Sequence, residues 1–438
     1  MKSRRIRLGI AAILAGTSFA SSSQQSSVDN SGTDEIVVAT ADSSQGGEDW
    51  PRFLGPRRDG TSSETGFLTE WSEDGPPVLW ERHIGEGYGA PVISKGKLIF
   101  FHRIDDHEVI ECVNAEDASQ VFWTQRYPTT YVDDYGSNNG PRSSPTIDGE
   151  HVYTYGAQGM LTCVDFQTGS VLWQRQVNKE YRVHKGFFGA GSAPVIDDNL
   201  LLLNVGGPGA GIVAFDKISG ETVWKTSDDE ASYSTPIIAT VHGERLALFH
   251  TADGFLAVET KTGKVQYRYP FRSPAAASAI AATPVLLDDI VFLSGSYQIG
   301  AVALKLTPDG LQEVWRSPTA MQSHWATSVY HEGYLYGVTG RHEQGSKLRC
   351  IEFLTGKVVW TADRGISRAS YVMAAGYLIA VGERGEFALI KVTPEGYTEK
   401  SRAKVMRYQV RTPPVLSHGL VYIRSERKLK CLDLRIAP

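Results

Sequence analysis

The sequence predicts an all-β fold: an eight-bladed β-propeller of four-stranded antiparallel blades. Three observations carry this reading. A unit recurs at steps of 42 to 54 residues from residue 90 to the end of the chain. Each unit reads as four short strands, A to D, and the hairpin before D carries the same glycine turn in most copies. A fixed period in this range marks a propeller, because one unit cannot bury its faces except against its neighbours. Two β-sandwiches would not repeat at a fixed interval.

The clearest copies are 143–175, 192–225 and 234–269. One register position, usually the proline of a small-Pro-apolar triplet, marks every copy. It falls at Pro91, Pro145, Pro194, Pro236, Pro284, Ser328, Tyr371 and Pro414, which makes eight units. This triplet opens strand A, where a missing N–H is tolerated. A Gly-bearing turn follows, as in Asp148-Gly149 and His242-Gly243, and then a strongly apolar strand B. Strand C has the form VAFD or LAVE. The C–D turn carries Gly169, Gly220, Gly263 or Gly356, since glycine supplies the positive φ that tight hairpins need. Strand D is expected to end in an aromatic residue. Asp165 to Trp173, Asp216 to Trp224, Glu259 to Tyr267 and Glu352 to Trp360 are each eight residues apart.

The last unit supplies strands A, B and C at 412–417, 420–424 and 429–434, but no D strand. A spare D-like run lies before the first unit, at 77–82. It is expected to pair with 429–434 and close the ring, which removes two open sheet edges.

The four cysteines, Cys112, Cys163, Cys350 and Cys431, share one strand C position, which Ala214, Ala257 and Ala303 fill in other units. That position wants a small apolar side chain, so four free buried thiols are expected. Equivalent sites on different blades lie too far apart for a disulfide.

The chain has 438 residues, 41% apolar and 21% charged, a globular composition. Lys2, Arg4, Arg5 and Arg7 precede an apolar stretch at 8–20 that ends in small residues, a signal peptide with cleavage after Ala20. Residues 21–49 are rich in Ser and Gln and read as a disordered linker. Residues 50–76 form an N-terminal extension, and 77–438 the propeller. No cysteine directly follows the apolar stretch to serve as a lipid-anchor site, and no later segment has the length and apolarity of a transmembrane helix. The expected product is an exported monomer, periplasmic, envelope-associated or secreted. Without the four leading cations, 40 basic residues face 49 acidic ones, which argues against nucleic-acid binding.

The pattern Pro-Val, turn Gly, Ala/Cys-x-Asp-x-x-Thr-Gly-x-x-x-Trp resembles the pyrroloquinoline quinone (PQQ) repeat of the quinoprotein alcohol dehydrogenase-like superfamily. It is clearest at 163–173, 214–224 and 350–360, and the resemblance covers 77–438. Quinoprotein dehydrogenases use PQQ with calcium, and many carry an adjacent cysteine pair; this chain has no adjacent cysteines. The chain also resembles the non-catalytic propeller subunit of the outer-membrane β-barrel assembly machinery. It is most similar to exported PQQ-like repeat proteins with an N-terminal WPxFxGPxRDGxS segment, here 50–62. The resemblance implies a non-catalytic binding or scaffold module with envelope or periplasmic protein partners. The alternative it implies is a PQQ-dependent alcohol or sugar dehydrogenase with its ligand in the central funnel.

Loops that enter the A strands would line such a funnel. They carry Tyr88, Tyr135, Arg142, Lys185, Trp325, Arg368 and Arg411. These point to a small anionic or polyol ligand. The arginines would bind carboxylates, Trp325 and Tyr135 would stack on a ring, and His324 is the candidate base. In the competing reading the same arginines pair with Asp133, Asp134, Asp228 and Asp229 around a solvated channel mouth. Asp133 and Asp134 also offer oxygen ligands for calcium beside Asn138 and Asn139, in a spacing that matches no EF-hand. They lie in the longest insertion of the ring, 127–143, and long loops in compact domains are often functional.

If the N-terminal strand closes the ring, Val78→Pro with Leu79→Pro should lower the melting temperature of the whole propeller. Circular dichroism should then show one earlier cooperative transition, not loss of a single unit.

Overall fold

The computed structural model describes residues 46–275, 278–341 and 345–436. The signal peptide assigned to 1–20, and the linker as far as residue 45, lie outside the described residues. The order of the chain reaches back to Glu48 and Asp49. The Glu48 carboxylate accepts from Arg57 and from the Ser63 amide, and Asp49 accepts from Ser94 and from the Lys95 amide.

Eight sheets make eight blades, and each keeps its strands in A-B-C-D order. Blade 2 is representative, with A at Thr146–Asp148, B at His151–Tyr155, C at Met160–Asp165 and D at Val171–Gln176. The A, B and C strands are almost wholly buried and the D strands mostly exposed. Strand A therefore lies innermost. Five of the A–B turns place two successive residues at positive φ, such as His242 and Gly243 or Glu332 and Gly333, the geometry that suits the strand twist. Blade 8 takes its D strand from the N-terminus: Val78–His83 pairs antiparallel with Lys428–Asp433, with Trp80 opposite Cys431. All four cysteines are buried and free.

The aromatic residue does not end strand D. Trp173 is the third residue of its strand, which runs on to Gln176. In all eight blades a β-bulge sits at the residue before this position. In blade 2 the bulge is Leu172, and in blade 8 it is Leu79. The bulge bends the outer edge and lowers its capacity to template another chain.

The aromatic ring then clasps the next blade. Trp80, Trp123, Trp173, Trp224, Trp315 and Trp360 each donate Nε1–H to a carbonyl there, at 2.8 to 3.2 Å. Tyr267 does the same with its hydroxyl, to Thr307 O at 2.9 Å. Four of these rings lie on the C–D turn glycine of the following blade: Trp123 on Gly169, Trp173 on Gly220, Trp224 on Gly263 and Trp315 on Gly356. The recurring turn glycine thus answers two demands, a positive φ of 69 to 74° and a surface flat enough for an indole. The acid that opens the turn holds it from within; Asp165 accepts from the Gln167 and Thr168 amides and from the Thr168 hydroxyl.

Blade 7 breaks the pattern, because Ser401 stands where the aromatic belongs. The N-terminal extension fills the gap. Ser401 donates to Thr69 O, and Trp71 stacks on Phe387 with centroids 5.2 Å apart. Segment 50–76 is therefore part of the ring. Its first half crosses the inner strands at their A–B ends. Trp50 bridges Ile93 of blade 1, Pro51 O accepts from the Ile147 amide of blade 2, and Arg58 donates to Ile196 O of blade 3. Thr61 and Ser62 then run parallel to Met373 and Ala374 of blade 7. The Glu64 carboxylate, which is buried, accepts from the His418 and Gly419 amides of blade 8. This segment plugs one end of the central channel.

Gly356→Ala and Gly149→Ala separate the two demands on turn glycine. Their φ values are +69° and +59°, but a methyl at 356 would overlap the Trp315 ring whereas that at 149 meets open space. Urea unfolding should show a loss of about 1 kcal/mol for Gly149→Ala and about 2 to 4 kcal/mol for Gly356→Ala.

Candidate functional site

At the other end of the channel, where loops enter the A strands, lies a cavity of about 410 Å³. Phe53 and Leu54 of the plug line it from below, so it is a blind cup and not a through-channel. Seven residues singled out from the sequence line it: Tyr88, Tyr135, Arg142, His324, Trp325, Arg368 and Arg411. Lys185 does not. It pairs with Asp134 and lies 5.6 Å from the Tyr131 ring centroid, outside the cup.

The long loop is built around Asp133. Its side chain is fully buried and accepts from the Ser137 hydroxyl, from the Tyr135 and Asn138 amides and from Arg142 at 3.0 Å. Burial alone would push the Asp133 carboxyl up; these donors outweigh it and hold it below its ordinary value. The loop docks on the segment before blade 1. The Asn139 amide donates to Glu86, and the Tyr88 amide to Pro141 O. Arg424, wholly buried, supports that segment from beneath through bonds to Gly89 O and Phe101 O. A side chain at Gly87, where φ is +146°, would collide with the Arg424 guanidinium.

Three arginines and two rings alternate along one wall. Arg142 and Arg411 both lie over Tyr88, at 5.8 and 5.5 Å; Arg411 and Arg368 both lie over Trp325, at 5.9 and 4.6 Å. Cations on ring faces gain electrostatically, more so where water is partly excluded. Behind the wall, Glu383 bridges Arg368 at 2.6 Å and Arg411 at 2.8 Å. The expectation of arginine–acid pairing therefore holds for Arg142 with Asp133. For the other two arginines the partner is Glu383, at the end of the blade 7 B strand, which no motif marked. Of the other proposed acids, Asp228 accepts from the Gly209 amide and Asp229 pairs with Arg268.

The Trp325 ring carries Arg368 over it at 4.6 Å and packs against His324 at 4.8 Å. Its Nε1–H is bound to Ser370. His324 lies between Trp325 and Tyr297, whose hydroxyl is 3.1 Å from Nε2. Tyr135 is 59% exposed at the rim and meets Phe187 and Phe188, and Phe188 meets Tyr233. Tyr297 and the plug residues Phe53 and Leu54 had no repeat-level signal; only the prominence of the 50–62 motif hinted at the plug.

These residues do not suit PQQ held with calcium. Calcium takes six to eight oxygen ligands. The acids nearest the cup are already bound, Asp133 to Arg142 and Glu383 to Arg368 and Arg411, and Asp134 is turned toward Lys185. Among the described residues no group of three or more His, Cys, Asp or Glu is placed to hold a metal ion.

Because the folded-state pKa of Asp133 is depressed, its stabilising contribution is present above the unfolded value of 3.8 and is lost as pH falls through the folded value. Asp133→Asn should lower the melting temperature near neutral pH and flatten its decline between about pH 5 and about pH 3. Melting curves of both proteins across that range test this.

Comparison with known proteins places this geometry in a family. The family model described as outer membrane protein assembly factor BamB (PQQ_2) matches residues 60–200 and 106–362. The outer membrane protein assembly factor BamB of Burkholderia pseudomallei (strain K96243) is 26% identical over 241 residues, 53% of this chain and 56% of that protein. The match thus spans little more than half of that relative's length. The Yersinia pestis factor of the same name is 19% identical over 290 residues, 64% of this chain and 70% of that protein. Among solved structures, BamB from Moraxella catarrhalis superimposes with a TM-score of 0.58 at 14% identity, covering 82% of this chain and 99% of that one. A europium-containing methanol dehydrogenase gives 0.61 at 11% identity, covering 88% and 89%. The structural likenesses establish the propeller fold, and the repeat-sequence match reaches across more than half of the chain: it belongs to the PQQ_2 family, that of the outer membrane protein assembly factor BamB.

Proposed function

We propose that this chain is an exported, monomeric, non-catalytic propeller scaffold of the cell envelope that docks a protein partner at the funnel mouth. The observation that carries the reading is the family match across 60–362, together with relatives named as outer membrane protein assembly factors. The basic-then-apolar start of the sequence supports export. Among the described residues no helix is long and apolar enough to cross a membrane. The site chemistry agrees with a binding role. Each funnel arginine is engaged by an acid, and the His324 ring is packed between two aromatics. Val132, Tyr135, Phe187 and Tyr408 form exposed apolar surface on loops at the funnel end, as expected of a docking face.

A photocrosslinking residue at position 187, expressed in the native host, tests the proposal against the same residue at Val223 on the outer edge of blade 3. Crosslinks to an envelope protein from position 187 and not from position 223 are the expected result. Crosslinks from neither position, or dye-linked oxidation of an alcohol or sugar by the purified protein with PQQ and calcium, would overturn it.

A further inference from the structure

We propose that the cup is a binding site for an uncharged ring polyol, a sugar or a cyclitol, held by hydroxyl groups of the inner strands and by aromatic rings. This rests on the reading of the chain as a non-catalytic binding module and gives that module a small ligand. The volume of about 410 Å³ falls in the range of small-molecule pockets. Acids already face the arginines of the wall. Asp133 pairs with Arg142, and Glu383 with Arg368 and Arg411. Glu426 lies near enough to act on both Arg411 and Tyr88. Selection then falls to the uncharged groups that line the cup.

Four of these are hydroxyls at one register position. Ser144, Thr235, Thr327 and Ser370 all line the cup, and each directly precedes the residue that marks its unit, in blades 2, 4, 6 and 7. Three of them join blades. Ser144 Oγ accepts from the Ala90 amide at 2.8 Å, Thr235 Oγ1 from the Ala193 amide at 3.0 Å, and Thr327 Oγ1 from the Thr283 amide at 3.0 Å. Ser370 Oγ accepts from Trp325 Nε1 at 3.0 Å. Among the described residues none of the four has an acceptor for its own proton. Such an oxygen keeps a proton to donate and a lone pair to share. An apolar body over these groups would leave them unpaired, which disfavours it.

Position sets the shape of the ligand. Blades 2, 4, 6 and 7 lie on different sides of the ring axis, so oxygens are called for around the ligand's perimeter and not at one end only. A ring polyol carries hydroxyls on every edge, and each of them both donates and accepts. Its faces are C–H groups, which need apolar contact. Tyr135, Phe188 and Tyr233 line the cup as a continuous run of rings, with centroids 5.4 and 5.8 Å apart, and supply that contact.

Isothermal titration of the mature protein with D-glucose, D-galactose, D-mannose, myo-inositol, D-glucuronate and cyclohexanol tests the proposal. At least one of the four neutral polyols should bind. Cyclohexanol, a ring of the same size with a single hydroxyl, should bind at least about ten-fold more weakly. Thr235→Val with Thr327→Val keeps the shape of both side chains and removes both hydroxyls; it should weaken the polyol at least about ten-fold. Thr235→Ser with Thr327→Ser restores the hydroxyls and should return the affinity to within about three-fold of the starting protein. Ala281→Trp fills the cup without removing a hydroxyl and should abolish binding, which keeps the test decisive if the valine pair misfolds. Absence of heat with all four polyols, equal binding of cyclohexanol, tighter binding of D-glucuronate than of the best neutral polyol, unchanged affinity in a folded valine pair, or binding that survives Ala281→Trp would overturn the site. Crosslinking from position 187 is scored separately, so the scaffold and the ligand site stand or fall independently.

Discussion

The ring depends on one contact made again and again: an aromatic ring from the outer strand of one blade, laid on the C–D turn of the next and hydrogen-bonded to a carbonyl there. Six tryptophans and Tyr267 make that bond. Trp123 and Tyr267 are buried and the other five half-buried; deleting a fully buried aromatic ring costs about 3 to 5 kcal/mol, so even a part of that at each clasp is a sizeable share of the marginal stability of a domain. The clasp also explains why acid, turn glycine and aromatic recur together. The acid shapes the turn, the glycine both permits it and clears space for the preceding blade's ring, and the bulge sets the outer strand's own ring in register with the next turn.

A ring built from such contacts has two weak points, the seam where it closes and any blade that lacks the ring. The N-terminal segment answers both. Strand Val78–His83 completes blade 8 and brings Trp80 to the blade 1 turn. Just before it, Trp71 packs where Ser401 leaves blade 7 without an aromatic. Further upstream, the same segment joins the inner strands of five blades and closes the channel. The plug that stabilises the ring also lines the funnel through Phe53 and Leu54.

The funnel wall follows a second rule, that cations placed near apolar surface need compensation. Asp133 and Glu383 supply charge, and Tyr88 and Trp325 supply ring faces. The result is a wall in which each arginine faces an acid.

From sequence alone, the blade count, the strand order, the ring closure and the free thiols could all be read. Each depends on a local pattern repeated at a fixed interval, and repetition makes a weak local signal strong. The cysteines are one case, because four equivalent strand C positions report one packing environment. The candidate funnel residues were legible as a set, since the fold dictates which loops face the axis; seven of the eight line the cup. Their partners were not. Glu383 meets Arg368 and Arg411 across a loop and a blade boundary, and Lys185 turns away to Asp134, because side-chain pairing among converging loops depends on three-dimensional direction and not on spacing. The plug was visible as a motif but not as a floor, since a segment that occurs once carries no period. Only the tertiary structure decided that an open channel would become a closed cup.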